Sequence, residues 1–120
     1  SASGGQARRQ DRTMANILVV GDDKDQSLLY KKGLTEEGYR VFIARNGKEA
    51  VFMLGLNPPD IVVLDINIPR MDSIEVMGKI LGENNGIPLV INATSPDFKD
   101  SLSTLKRAIK EILENTERNF

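Results

Sequence analysis

The sequence predicts an α/β domain built on a doubly wound parallel sheet. Three observations carry that reading. Short apolar runs rich in Val and Ile alternate with segments of helical apolar spacing. Glycine and proline punctuate the boundaries, at Gly38 and in the stretch "NPPD" (57–60). Acidic residues follow directly on two of the apolar runs, at Asp22, Asp23 and Asp65. Alternation of this kind implies right-handed crossovers, with helices on both faces of the sheet.

The elements follow in order. Asn16 to Val20, "NILVV", reads as a strand buried on both faces. The loop "GDDKDQ" comes next, and Asp23 or Asp25 can cap the helix behind it. That helix runs to about Glu37, with Leu28, Leu29 and Leu34 on its apolar side, and Gly38 suits the left-handed position after its end. Tyr39 to Ala44, "YRVFIA", alternates as a second strand. "RNGKEAVFMLG" supplies a turn and a short helix with Ala50, Met53 and Leu54 inward. "LNPPD" breaks the chain before the third strand, "IVVLD". "SIEVMGKIL" reads as a helix with Ile74, Met77, Ile80 and Leu81 on one side. "GENNG" is a loop, and Pro88 introduces the strand "LVINA". The closing segment carries Leu102, Leu105, Ile109, Ile112 and Leu113 at helical spacing.

A chain of 120 residues suggests one domain with a modest core. The first 13 residues, "SASGGQARRQDRT", lack periodicity; they are expected to be an appended leader or flexible tail, leaving 14–120 as the domain. The net charge is −1, and Arg8, Arg9 and Arg12 against Asp11 give the leader +2, so the remainder stands near −3. A mildly acidic domain offers no electrostatic reason to expect nucleic-acid binding. With no Cys and no His, disulfide, thiolate and imidazole chemistry are excluded. No apolar run is long enough to span a membrane, and a cytoplasmic location is expected. Chemistry therefore falls to carboxylates, hydroxyls and lysines.

In sheets of this type, sites gather at the carboxyl ends of the strands. Asp22, Asp23 and Asp65 sit there, after two different strands. Converging acids make an oxygen-rich pocket that a hard cation such as Mg²⁺ relieves. A carboxylate can also act as a nucleophile toward a phosphoryl group, with a metal neutralising the transferred charge. The plainer alternative is that Asp22 and Asp23 cap a helix and Asp65 opens a loop.

"ILVVGDDKDQSLL" followed by "PDIVVLDINIPRMDSIEVM" closely resembles the receiver domain of bacterial two-component response regulators. The resemblance runs from Ile17 to about Ala93 and is strongest around Asp65. It implies a flavodoxin-like receiver fold and a signalling domain rather than an enzyme, one that at most assists its own phosphorylation and dephosphorylation. It also implies that Asp65 is the phosphorylated aspartate, with Mg²⁺ held by Asp22, Asp65 and the backbone carbonyl of Asn67, and Asp23 as a further metal-pocket candidate. Pro69, Met71 and Asp72 match the loop that follows, and Ser73 stands where the family usually has Gly. A histidine kinase or phosphotransfer protein is the implied partner. The apolar strand then holds one carboxylate in line with the phosphoryl donor.

Four departures from the family pattern matter. Gly21 takes the place of the first of two acids after the first strand. Ala93 stands where the family has a Ser or Thr that binds the phosphoryl oxygen, with Thr94 next as the candidate switch hydroxyl. Only "TSPDFKDS" separates Ala93 from the final helix, so the usual fourth helix and fifth strand are expected to be missing. The family's lysine goes with them, and Lys99 is the nearby substitute for contacting phosphate. The shortening would leave the fourth strand at an edge. Either the terminal helix folds back on its own sheet, or a homodimer forms through the fourth-strand edge and that helix.

Two readings therefore compete. One is a phosphoacceptor receiver, stand-alone or a fragment of a larger regulator. The other is a degenerate receiver serving as a phosphorylation-independent interaction or dimerisation module. A nucleotide-binding enzyme fits poorly, because "GDD" is acidic and no glycine-rich phosphate loop follows the first strand.

Overall fold

In the computed structural model, which describes residues 15–65, 78, 87–92 and 97–118, four apolar runs form one parallel sheet. Its strands are β1 (Asn16–Val20), β2 (Arg40–Ala44), β3 (Ile61–Asp65) and β4 (Leu89–Asn92), in the spatial order β2-β1-β3-β4. The helices are α1 (Lys24–Glu36), α2 (Gly47–Leu56) and α3 (Phe98–Arg118). Side chains alternate across each strand, so the two faces are readable from β1 and β3. Ile17, Val19, Ile61 and Val63 face one side and pack with Tyr30 and Leu34 of α1 and with Leu105 and Ile109 of α3. Leu18, Val20, Val62 and Leu64 face the other side and pack with Ala50 of α2, with Met53 and Leu54 against them. Both central strands are thus covered twice, which is why they read as continuous apolar runs.

Local chemistry sets the element ends. Asp23 caps α1, its Oδ1 accepting the Gln26 N–H at 3.1 Å. Gly38 follows α1 with φ 99°, a left-handed backbone that suits glycine. Asn46 caps α2 by accepting the Glu49 N–H at 2.8 Å, and Glu49 Oε1 accepts the Arg45 N–H at 3.0 Å. Asp60 holds the start of β1 twice: its Oδ2 accepts the Asn16 N–H at 2.7 Å, and its own N–H donates to the Asn16 carbonyl at 2.8 Å.

Two expectations are corrected. Leu28 and Leu29 do not form the inner side of α1; they are 48% and 49% exposed. The buried stripe is Ser27, Tyr30, Gly33 and Leu34, whose spacing of three and four residues keeps one face inward. The second strand begins at Arg40, one residue inside its expected bound, while Ala93, the expected last residue of the fourth, lies outside the described residues. Of the helix expected over 73–81, only Gly78 lies among the described residues, and it is helical.

The chain end shows where the terminal helix packs. Residues 93–97 alone separate β4 from α3, whereas a crossover to another parallel strand needs about a dozen residues or more. Among the described residues the sheet has four strands, with β4 at its edge. The terminal helix folds back on its own sheet: Leu105 and Ile109 are buried in the core, and Leu102, Ile112 and Leu113 pack against it. The apolar stripe of the terminal helix is therefore satisfied within this chain. Helix α3 meets α1 at Gly33, where a Cβ would stand 2.7 Å from Leu102 Cδ2.

Candidate functional site

The parallel register builds the site. Val20 is level with Leu64, so the residue after β1, Gly21, lies at the same height as Asp65 at the end of β3. The loop Gly21–Asp23 and the last residue of β3 therefore share the carboxyl edge of two adjacent central strands. Asp65 is in turn level with Asn92, the last residue of β4. Three neighbouring strands thus end together, which is the place such sheets reserve for chemistry.

Asp65 belongs to the β3 ladder, and the four residues before it are buried. Its side chain, and all of Asn67, Ala93 and Thr94, lie outside the described residues. Asp22 is exposed on the loop after β1, where a carboxylate can meet an incoming ion or ligand. Asp23, also exposed, has a structural task, because its Oδ1 accepts the Gln26 N–H. Gly21 is buried, and its N–H donates to the Ala44 carbonyl at 2.9 Å, fastening the loop to the end of β2. Lys99 lies in the first turn of α3, exposed, with its N–H bonded to Asp97 Oδ1 at 2.9 Å.

Among the described residues no group of three acidic, His or Cys side chains is placed to hold a metal. A Mg²⁺ site does not require three, since one or two carboxylates, a carbonyl and waters suffice. The register also brings in a residue that sequence reasoning passed over. Asn92 ends β4 as Asp65 ends β3. The signal was present in "LVIN", a polar residue closing an apolar run, as in "IVVLD".

The chain is similar to known proteins. A family model for the response regulator receiver domain matches residues 17–116. Response regulator MprA of Mycobacterium tuberculosis is 36% identical over 97 residues, 81% of this chain and 42% of that protein. Transcriptional regulatory protein PrrA of Mycobacterium bovis is 31% identical over 101 residues, 84% of this chain and 43% of that one. The chain spans less than half the length of these relatives. Among solved structures, a CheY-like response regulator receiver domain protein from Methanospirillum hungatei matches with a TM-score of 0.76 at 22% identity, covering 89% of this chain and 99% of that one; the likeness shows the flavodoxin-like fold. The signal receiver domain of a histidine kinase from Syntrophus aciditrophicus matches with a TM-score of 0.71 at 27% identity, covering 87% and 93%. The matched span contains both strand-end segments, "VVGDD" and "VVLDINIP", and the chain belongs to the response regulator receiver domain family.

Proposed function

We propose that this receiver accepts a phosphoryl group on Asp65, from a phosphohistidine of a histidine kinase or phosphotransfer protein or from a small acyl phosphate. One observation carries the proposal: the β1–β3 register sets the exposed Asp22 loop beside Asp65 at one sheet edge. A carboxylate oxygen of Asp65 attacks phosphorus and the bond from phosphorus to the donor breaks: a phosphohistidine releases imidazole, which keeps the electron pair and takes up a proton, and an acyl phosphate releases its carboxylate, which keeps the pair on oxygen. Asp22, Asp65 and the Asn67 carbonyl would hold Mg²⁺, two carboxylates and a carbonyl being a donor set this cation accepts. Bound there, it supplies neutralising charge to the transferred group. Asp23 is the weaker ligand candidate, because one oxygen already caps α1. Thr94 is assigned the hydroxyl that receives a phosphoryl oxygen, and Lys99 the cation beside it. The domain is assigned to 14–120 and its place of work to the cytoplasm, where a kinase partner would meet it.

The test is incubation with Mg²⁺ and a small acyl phosphate, read by intact mass. The wild-type chain should gain one phosphoryl group, and Asp65→Asn should gain none while melting as a folded protein. Mg²⁺ should raise the melting temperature of the wild type, by relieving carboxylate repulsion, and leave that of Asp22→Ala unchanged. Phosphorylation of Asp65→Asn at wild-type stoichiometry would remove Asp65 from the role.

A second reading, a receiver that works without phosphorylation, is favoured by Gly21. That position is buried and supplies no carboxylate. A wild-type chain that takes up neither phosphoryl group nor Mg²⁺ would establish it.

A further inference from the structure

Among the described residues no strand pairs with the outer side of β4, and the hydrogen-bonding pattern of that edge is defined. The Val62 N–H donates to the Pro88 carbonyl at 3.0 Å, and Val62 is paired with Leu89, Val63 with Val90 and Leu64 with Ile91. In a parallel ladder this arrangement turns the N–H and C=O of Val90 and Asn92 toward β3. The N–H and C=O of Leu89 and Ile91 therefore point away from the sheet. No described residue bonds to these four groups, and backbone groups of this kind seek a partner strand.

The four groups form a self-complementary set. A second copy of β4, antiparallel and related by a two-fold axis through Val90, sets Leu89 opposite Ile91 of the copy and Ile91 opposite its Leu89. Each pair exchanges two N–H···O=C bonds, so every outward group is satisfied and four hydrogen bonds form. A shift of register loses some of them. Charge favours the same edge. The stretch Ile87–Asn92 carries no charged residue, so the paired segments themselves bring no like charges together. The opposite edge, β2, has exposed Arg40 and Arg45 at its two ends, which bring positive charge to both ends of any self-pairing. We propose that two copies of this chain join through antiparallel β4–β4 pairing centred on Val90, making one continuous eight-stranded sheet. The terminal helix takes no part in the exchange, because its apolar stripe already packs against the core of its own chain. The pairing is independent of the phosphoryl chemistry, since it uses only backbone groups of Leu89 and Ile91.

The absence of cysteine from the chain makes the register directly testable. Opposed residues of a non-hydrogen-bonded antiparallel pair lie about 4.5 Å apart at Cα, within the range a disulfide spans. On the two-fold, Val90→Cys should give a covalent dimer under mild oxidation. Leu89→Cys, whose copy lies off the axis, should form no covalent dimer under the same oxidation. Sedimentation of the wild type should show a dimer that dissociates on dilution. Ile91→Pro removes one outward N–H while sparing the β3 ladder, and should sediment as a folded monomer. A wild type that is monomeric at every concentration would overturn the proposal. So would equal cross-linking of Leu89→Cys and Val90→Cys, or a dimer that persists in folded Ile91→Pro. If Ile91→Pro does not fold, the two cysteine variants still decide between this register and any other.

Discussion

Tyr39 lies at the joint between α1 and β2, partly buried against the core that α1 and α3 share. Burial raises its pKa above the usual 10.0, and the carboxylates of Glu37 and then Glu114 push the same way. A tyrosine whose folded pKa is raised holds its proton more tightly when folded. Its contribution to stability is present in full below the unfolded value of about 10 and is lost as the pH rises through the higher folded value. Tyr39→Phe should therefore flatten the alkaline end of the stability curve and leave the neutral region close to the wild type. Urea midpoints on either side of that window are the measurement; an unchanged alkaline slope in the Phe variant would place the pH dependence elsewhere. At this scale, the sequence revealed some roles and hid others. Asp23 was legible as a cap because an acid three residues before a helical N–H is a local pattern. The level placement of Asp65 and Asn92 was not, because strand register between distant segments is set by tertiary packing and leaves no mark in either segment.

The approach of α1 to α3 depends on a residue with no side chain. Gly33 faces Leu102, and an added Cβ would meet Leu102 Cδ2 at 2.7 Å, Cδ1 at 2.9 Å and Cγ at 3.3 Å. All three atoms belong to one side chain, partly buried against the core, so the whole isobutyl group must move. Mid-helix, alanine is intrinsically better than glycine by about 1 kcal/mol, but overpacking costs about 1–3 kcal/mol. Gly33→Ala should thus destabilise the wild type slightly. In a Leu102→Ala background, where the clash is gone, the same change should stabilise by up to about 1 kcal/mol. A double-mutant cycle by chemical denaturation reads the coupling, and strict additivity would show that the helices are not in contact there. The same helix pair explains a miscast stripe. Leu28 and Leu29 look like core residues by composition, yet the helix has one inner face. Tyr30 and Leu34 occupy it, with Gly33 admitting the neighbouring helix. The ion pair between Lys106 Nζ and Glu37 Oε2, at 3.7 Å and largely solvated, contributes little to this contact.

Across the whole molecule, the β-α alternation and the parallel sheet were legible because apolar period and turn residues are local signals. The short connection from β4 to α3 also foretold that no further strand follows β4 directly. What the sequence left open was the destination of the terminal helix. An apolar stripe demands a surface but does not say whose. Folding back places Ile109 at 0% exposure among Ile17, Val19, Leu34 and Ile61. This turns a question about assembly into one about folding. Burying an isoleucine contributes roughly 1.5–3 kcal/mol, and a carboxylate in its place adds a desolvation penalty of several kcal/mol. A domain is usually stable by only about 5–15 kcal/mol. Ile109→Asp should therefore abolish cooperative unfolding and native far-UV circular dichroism at every protein concentration, whereas Lys110→Asp, one residue further on and exposed, should remain folded. A helix used for swapping between chains would behave differently, with Ile109→Asp giving a well-folded monomer from a wild-type dimer. Circular dichroism with light scattering on the same samples separates the two. A folded, monomeric Ile109→Asp would move α3 out of the core of its own chain.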